Sequence, residues 1–279
     1  RYFLDIDFLR DMRIYVPNPI KEFAFELPNE KNIAAWVKGE IESPSTNEMW
    51  RELDHYFRTF TDLPESMYPC LVLFTFQTYL QEIEHVETVF YLSIFGSFGA
   101  GKTTILELLK LVALRGIMGN ASAPLIARMI HEQKVTVFFD ELDSKTQVNE
   151  DGDSEIISII RQGYRKGMKY MRMSKDLQFQ SFNVFGCKAF NAHGSIESAL
   201  LQRSLPITTT QSTDATVPVI NFEKRKIAKI IRERLLLWYL DNIIINVIYD
   251  TTVIDIYTPL SYNRDSIYGG MGAKYGATV

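Results

Sequence analysis

Residues 89–95 form an apolar, β-prone run, and Gly96-Ser97-Phe98-Gly99-Ala100-Gly101-Lys102-Thr103 follows directly. Beyond it, Ile105, Leu108, Leu109 and Val112 recur at helical spacing. This succession of strand, glycine turn and helix constrains the fold more than any other stretch. It fits the pattern G-x-x-x-x-G-K-[ST], in which glycines let backbone N–H groups turn inward around phosphate. The helix N-terminus adds a dipole that favours anions. The positions expected to line a bound ATP are Gly96, Ser97, Phe98, Gly99, Ala100, Gly101, Lys102, Thr103 and Thr104. Lys102 is expected to reach the β- and γ-phosphates, and the Thr103 hydroxyl to help hold Mg2+.

A second run, Val135-Thr136-Val137-Phe138-Phe139, is apolar at four of its five positions, as a central parallel strand requires. It ends in Asp140-Glu141. Beside a phosphate loop, Asp140 would hold Mg2+ through water and Glu141 would orient or deprotonate the attacking water. Asp143 reads as a solvated loop acid. Residues 184–190 read as a further strand that ends at Asn191, where an amide either touches the γ-phosphate or the attacking water, or caps a turn with His193-Gly194. A short helix over 195–202 leads to Arg203. That arginine either reaches a neighbouring subunit's γ-phosphate or pairs with carbonyls at its own helix end.

Around these motifs the pattern predicts helices at 66–83, 123–133, 155–161 and 223–240, with Ile227, Ile230, Ile231 and Trp238 on one face of the last. Short strands are expected at 116–120 and 205–208. Residues 43–47 read as a loop. Five strand candidates alternate with helices, which argues for an α/β fold with a three-layer parallel sheet. Residues 168–185 break the alternation as a hairpin turning near Ser174-Lys175-Asp176. It carries Lys169, Arg172 and Lys175, which either grip a phosphate backbone or keep a solvated hairpin soluble. Lys224-Arg225-Lys226 with Lys229 and Arg232 is the densest basic stretch, and reads first as the wet face of an amphipathic helix.

The bulk numbers exclude little. Hydrophobic residues make up 46% and charged residues 23%, an ordinary soluble composition. A net charge of −4 does not announce nucleic-acid binding, although a local basic surface suffices for it. Cys70 and Cys187 have neither zinc nor disulfide spacing, and both read as buried thiols in a reducing compartment. Aspartates interrupt the apolar stretch 235–257, so no membrane span is expected. No signal peptide is visible, the first residue is Arg1 rather than methionine, and a cytoplasmic piece of a longer protein is expected.

Taken in order, these residues resemble the AAA+ superfamily of ring-forming ATPases. The phosphate loop, Asp140-Glu141, Asn191 and Arg203 match its Walker A, Walker B, sensor 1 and arginine-finger order over about residues 62–209. FGSFGAGKTTILELL, FFDELD, IIRQGYRKG and FGCKAFNAHGSIESALLQRSLPI are similar to the ATPase domains of phage-, plasmid- and virus-type primase–helicase proteins. That resemblance implies a P-loop NTPase core of AAA+/ASCE type at 62–210, an N-terminal accessory segment at 1–61 and a C-terminal helical lid and tail at 211–279. It also implies ATP and Mg2+ as cofactors, a homo-oligomeric ring, most often a hexamer, and single- or double-stranded DNA as partner. Helicases of this kind insert a DNA-gripping hairpin where residues 168–182 stand. Two departures are visible: Lys102 and Asp140 lie only 38 positions apart, and no second-sensor arginine is recognisable after Thr216.

The expected activity is ATP hydrolysis driving a helicase or translocase in replication of a mobile element or virus. The rivals are an ATPase that remodels protein, packages DNA or acts in defence, and a nucleotide-gated assembly scaffold.

Overall fold

The computed structural model describes residues 22–142, 155–173, 177–192, 197–211 and 222–249; in the last segment, side chains are described for 225–242. Ser174-Lys175-Asp176, Asp143, His193 and most of the 208–216 linker lie outside them.

The apolar runs pair as parallel strands. β1 (Tyr91–Phe95) lies between β6 (Lys188–Asn191) and β7 (Ser204–Thr208). Beyond β6 come β3 (Thr136–Phe139) and the edge strand β2 (Gly116–Met118), giving the order β2-β3-β6-β1-β7. β3 and β6 are buried at every position, whereas the edge strands β2 and β7 are only partly covered, as their places in the sheet demand. Leu92 pairs with Ala189 and Leu205, and Phe138 with Ala189, so the carboxyl ends of all the strands rise on one side of the sheet. The chain leaves β1 towards β2 and works back through β3 and β6 before crossing to β7. β1 is therefore flanked by strands reached from opposite directions, the arrangement that opens a crevice at the carboxyl ends of an α/β sheet.

Helices fill the connections. α4 (Lys102–Val112) follows β1, α5 (Ala123–Gln133) follows β2, α6 (Glu155–Gln162) follows β3, and α7 (Ser198–Leu201) joins β6 to β7. Ahead of the sheet, α1 (Glu30–Val37), α2 (Thr46–Phe60) and a 3-10 turn (Glu65–Met67) lead into α3 (Tyr68–Leu80). α3 is apolar on nearly all sides because it is covered on more than one. Phe74 meets Phe138 of the sheet at 6.2 Å, and Phe76 meets Trp238 of α8 (Phe222–Tyr249) at 4.8 Å. Its buried polar groups are satisfied locally: Thr75 donates to the Leu71 carbonyl and Tyr79 to that of Val112. Each fully buried Leu or Phe here contributes about 1.5–3 kcal/mol by leaving water.

Several expectations change. Helix α2 begins inside the 43–47 stretch read as a loop. Ser45 accepts from the Glu48 N–H while the Glu48 carboxylate accepts from the Ser45 N–H, a reciprocal capping box. The packed stripe of α8 is Ala228, Ile231, Leu235 and Trp238, with Ile227 and Ile230 exposed. β6 starts at Lys188 rather than at 184. Cys187 is buried as expected, but Cys70 is only partly so.

The expected hairpin is present as β4 (Lys169–Met173) paired antiparallel with β5 (Phe179–Asn183). Tyr170 and Phe182 stack on its inner face, and His131 of α5 accepts from the Asn183 N–H. The outer face shows Lys169 with Met171, Met173 and Phe179, the last 67% exposed. Arg172 lies on the other face, with Nε and Nη1 buried. The visible face of the hairpin is thus more apolar than basic.

Candidate nucleotide-binding site

The loop between β1 and α4 has the conformation that its glycines permit. Gly101 caps α4 at φ +79°, a left-handed value that a side chain would resist. Gly96 answers a different need. A Cβ at that position would stand 2.4 Å from the carbonyl oxygen of Thr209, the residue that follows β7. Lys102 is 5% exposed, and its ammonium donates to the Gly96 carbonyl at 2.8 Å and to that of Ser97 at 2.9 Å. Two of its three donors thus curl the loop around the lysine head, and the head lies where the loop is concave. Phe98 stands on the outer rim, 88% exposed.

The strand ends bring the acidic and amide groups to the same edge. Asn191 pairs in register with Ile94, two residues before the loop, and Phe190 pairs with Phe139, one residue before Asp140. Asn191 is buried, and its amide is used at both ends. Its Oδ1 accepts from the Glu141 N–H at 2.6 Å, and its Nδ2 donates to Asp140 Oδ1 at 2.7 Å. An N–H requires an oxygen opposite it, so the Glu141 contact fixes the orientation of the amide. The same Asp140 oxygen accepts from Thr103 Oγ1 at 3.1 Å. Thr103, Asp140, Asn191 and Glu141 form one continuous chain of hydrogen bonds across three strand ends.

Glu141 itself adopts φ +51°. A non-glycine residue rarely holds a left-handed backbone, and such residues persist where their surroundings fix them. Here the fixing bond comes from Asn191. The carboxylate is exposed at the mouth of the crevice.

The donor set suits Mg2+. Adjacent ligands of an octahedral Mg2+ bound at about 2.0–2.1 Å lie about 3 Å apart, which matches the hydroxyl–carboxylate spacing of Thr103 and Asp140. Among the described residues no group of three or more His, Cys, Asp or Glu could form an all-protein cage. Mg2+ is usually held by one or two protein oxygens, with phosphate and water completing the shell.

Arg203 is not brought to this edge. Its carbonyl accepts from the N–H of Tyr91, the first residue of β1, which puts it at the amino end of the sheet. That end is about 15 Å from the loop at the usual rise of a strand. Its guanidinium lies 4.0 Å over the Tyr164 ring and donates to the Arg161 carbonyl at 2.9 Å.

Thr209 is the residue that the motifs did not point to. It is 4% exposed. Its N–H donates to the Phe95 carbonyl at 2.8 Å and its hydroxyl to that of Ala100 at 2.7 Å, so it grips the loop at both ends. A trans peptide points its C=O and N–H in opposite directions. Drawing the Ala100 carbonyl outwards therefore turns the Gly101 N–H towards the inside of the loop. The only signal in the sequence was a threonine at a strand end, 109 positions from its partner.

No protein-family model matches the chain, and no curated protein matches it. Among solved structures, three chains of JCV helicase are similar to it. One, bound to a thiazolopyridine-phenoxyphenyl acetamide, is 15% identical with a TM-score of 0.36. One with a bound inhibitor is 13% identical at 0.35, and a third is 14% identical at 0.36. Each alignment covers 87% of this chain and 72% of that chain. At such distance the fold and the site rest on the chain's own geometry, a five-stranded parallel α/β sheet with the loop, the acids and the amide at one edge.

Proposed function

We propose that this chain is a Mg2+-dependent ATPase of AAA+ type that works as a ring and acts on DNA as a helicase or translocase. The observation that carries the ATPase reading is the hydrogen-bonded chain from Thr103 through Asp140 and Asn191 to Glu141. It supports the reading because it joins Thr103 to Asp140 and fixes the Glu141 backbone at the same edge as the glycine loop. Lys102 and the loop N–H groups would bind the β- and γ-phosphates, Glu141 would orient water for in-line attack, and Asn191 would hold Glu141 to that task. Mg2+, when bound between Thr103 and Asp140, would neutralise charge that builds on the phosphates. Charge at the γ-phosphate would be completed by Arg203 of a neighbouring copy.

The DNA reading is supported by the motif order and by the hairpin. Bases stack on exposed aromatic groups, and Phe179 offers one on the hairpin face that also carries Lys169. A second reading, an ATP-driven motor that grips polypeptide, draws on the same face, since Met171, Met173, Leu177 and Phe179 are all exposed and apolar.

One set of measurements tests both levels. Lys102→Ala is expected to lower ATP hydrolysis by about 10²-fold or more; full activity in that variant would end the ATPase reading. Single-stranded DNA is expected to stimulate hydrolysis, and Phe179→Ala to blunt the stimulation without touching the basal rate. Stimulation by unfolded polypeptide instead of DNA would favour the second reading.

A further inference from the structure

Away from the phosphate loop, α4 and α8 wall a cleft of about 510 Å3. The packed stripe of α8 turns its Ala228, Ile231 and Leu235 inwards, which leaves Arg225, Lys229 and Arg232 on another face at i, i+4 and i+7. By itself that basic stripe is the wet face of an amphipathic helix. Two features make it more. Lys110 projects into the same space from α4, so cations converge from two elements on a concavity, which focuses their field. Arg225 and Lys226 also occupy the opening turns of α8, where the helix dipole is itself positive and disfavours cations.

The cleft is partly organised by an acid. Glu26 accepts from Lys229 at 2.8 Å and from Arg232 at 2.7 Å, which orders both heads. Lys110, Arg225 and Lys226 pair with no carboxylate among the described residues. Among the described residues, positive charge thus outweighs negative in the lining of this cleft, in a chain whose net charge is −4.

We propose that this cleft binds the phosphodiester backbone of a nucleic-acid strand, as a site separate from the nucleotide loop. Charge density favours a strand over a compact polyphosphate. Glu26 and Glu107 stand among the cations and repel a ligand with several charges on neighbouring phosphates, whereas a strand brings one charge per nucleotide. From Arg225 to Arg232 the cations run about 10 Å along the helix, a row rather than a point. The inference shares only its partner class with the proposed function, and binding at the cleft needs no hydrolysis.

The test is binding of a labelled oligothymidylate to the whole chain without nucleotide, measured by fluorescence anisotropy over a range of salt. Lys110→Glu and the pair Arg225→Glu/Lys226→Glu are each expected to weaken binding about tenfold or more. Each is also expected to flatten the slope of log affinity against log salt by about 0.7 per lost contact. Glu107→Gln is expected to tighten binding, a direction that damaged folding cannot produce. Lys102→Ala is expected to bind as the wild type does, which separates the cleft from the loop. Binding insensitive to the cleft variants but lost with Phe179→Ala would overturn the inference and leave the hairpin reading standing. Competition by inorganic tripolyphosphate at concentrations far below those needed for oligonucleotide would overturn it too.

Discussion

Lys188 has no exposed surface, yet it lies within β6, in the middle of the sheet. Its ammonium donates to the carbonyls of Val184 and Gly186, both at 2.9 Å, and stands 5.4 Å from the centre of the Tyr91 ring. Burial pushes its pKa down from 10.5 to about 7, while burial also pushes the adjacent Cys187 thiol up to about 12. The sign follows from proton counts. Between about pH 7 and the unfolded value of 10.5, the unfolded chain holds a proton that the folded chain has released. Raising the pH across that window therefore favours the fold through this group, and its cost is full below the window. Lys188→Met leaves the Val184 and Gly186 carbonyls without this donor at every pH, so the expected signature is the trend: its stability relative to wild type falls as the pH rises from about 7 towards 10. Urea unfolding of both proteins at matched pH reads that difference, and the shared effects of Tyr91 largely cancel in it. A difference that stays constant with pH would mean that Lys188 keeps its ordinary titration in the fold.

At the scale of elements, β7 has a task beyond covering the edge of β1. Its last bonds reach the phosphate loop through Thr209, so the strand presets the loop before any phosphate arrives. Thr209→Val keeps the shape of the side chain and removes the hydroxyl, leaving the Ala100 carbonyl without its donor. A net hydrogen bond of about 0.5–1.5 kcal/mol corresponds to roughly a twofold to tenfold loss in nucleotide affinity. The loss is expected mainly in KM for ATP, with kcat less affected, and Thr209→Ser is expected to restore it. Equal KM in the valine variant would show that the loop holds its form without the clamp.

This contact was illegible in the sequence because the loop motif is local and its clamp is not. The strands themselves were legible, since five β-prone runs separated by helical spacing leave few arrangements other than a parallel sheet. The hairpin was half legible. Alternation announced its strands, but a two-residue period fits either face. Packing of Phe182 against His131 of α5, with Tyr170 stacked on Phe182, decided the matter and left Met171 and Phe179 facing outwards. α8 was misphased for a related reason. Ile227 and Ile230 are as apolar as Ile231, and tertiary packing, seen where α3 and α2 meet Trp238, selects the Ala228–Ile231–Leu235 stripe. The start of α2 is the opposite case, because Ser45 and Glu48 spell a capping box that local reading could have found.

At the scale of the whole molecule, the proposed function divides its reacting groups between the two ends of the sheet. Lys102, Asp140, Glu141 and Asn191 stand at the carboxyl edge, and Arg203 stands at the amino edge of the same strands. No movement of one side chain spans that separation. If Arg203 acts on ATP, it acts on the ATP of another copy, and the copies meet head to tail, the kind of contact that closes into rings. The Tyr164 ring and the Arg161 carbonyl then hold the guanidinium extended until a neighbour presents phosphate. Mixing two inactive proteins tests this directly. Glu141→Gln lacks the acid proposed to orient water but keeps its arginine, and Arg203→Ala lacks the arginine but keeps the acid. An arginine of this kind is worth roughly 10³–10⁵ in rate, so each variant alone is expected to be near background. In an equal mixture, roughly a quarter of randomly formed interfaces pair a good acid with a good arginine, and hydrolysis is expected to return to about that share of wild type. A mixture no more active than the sum of its parts would leave Arg203 as a residue that only ties Tyr164 to the foot of β7.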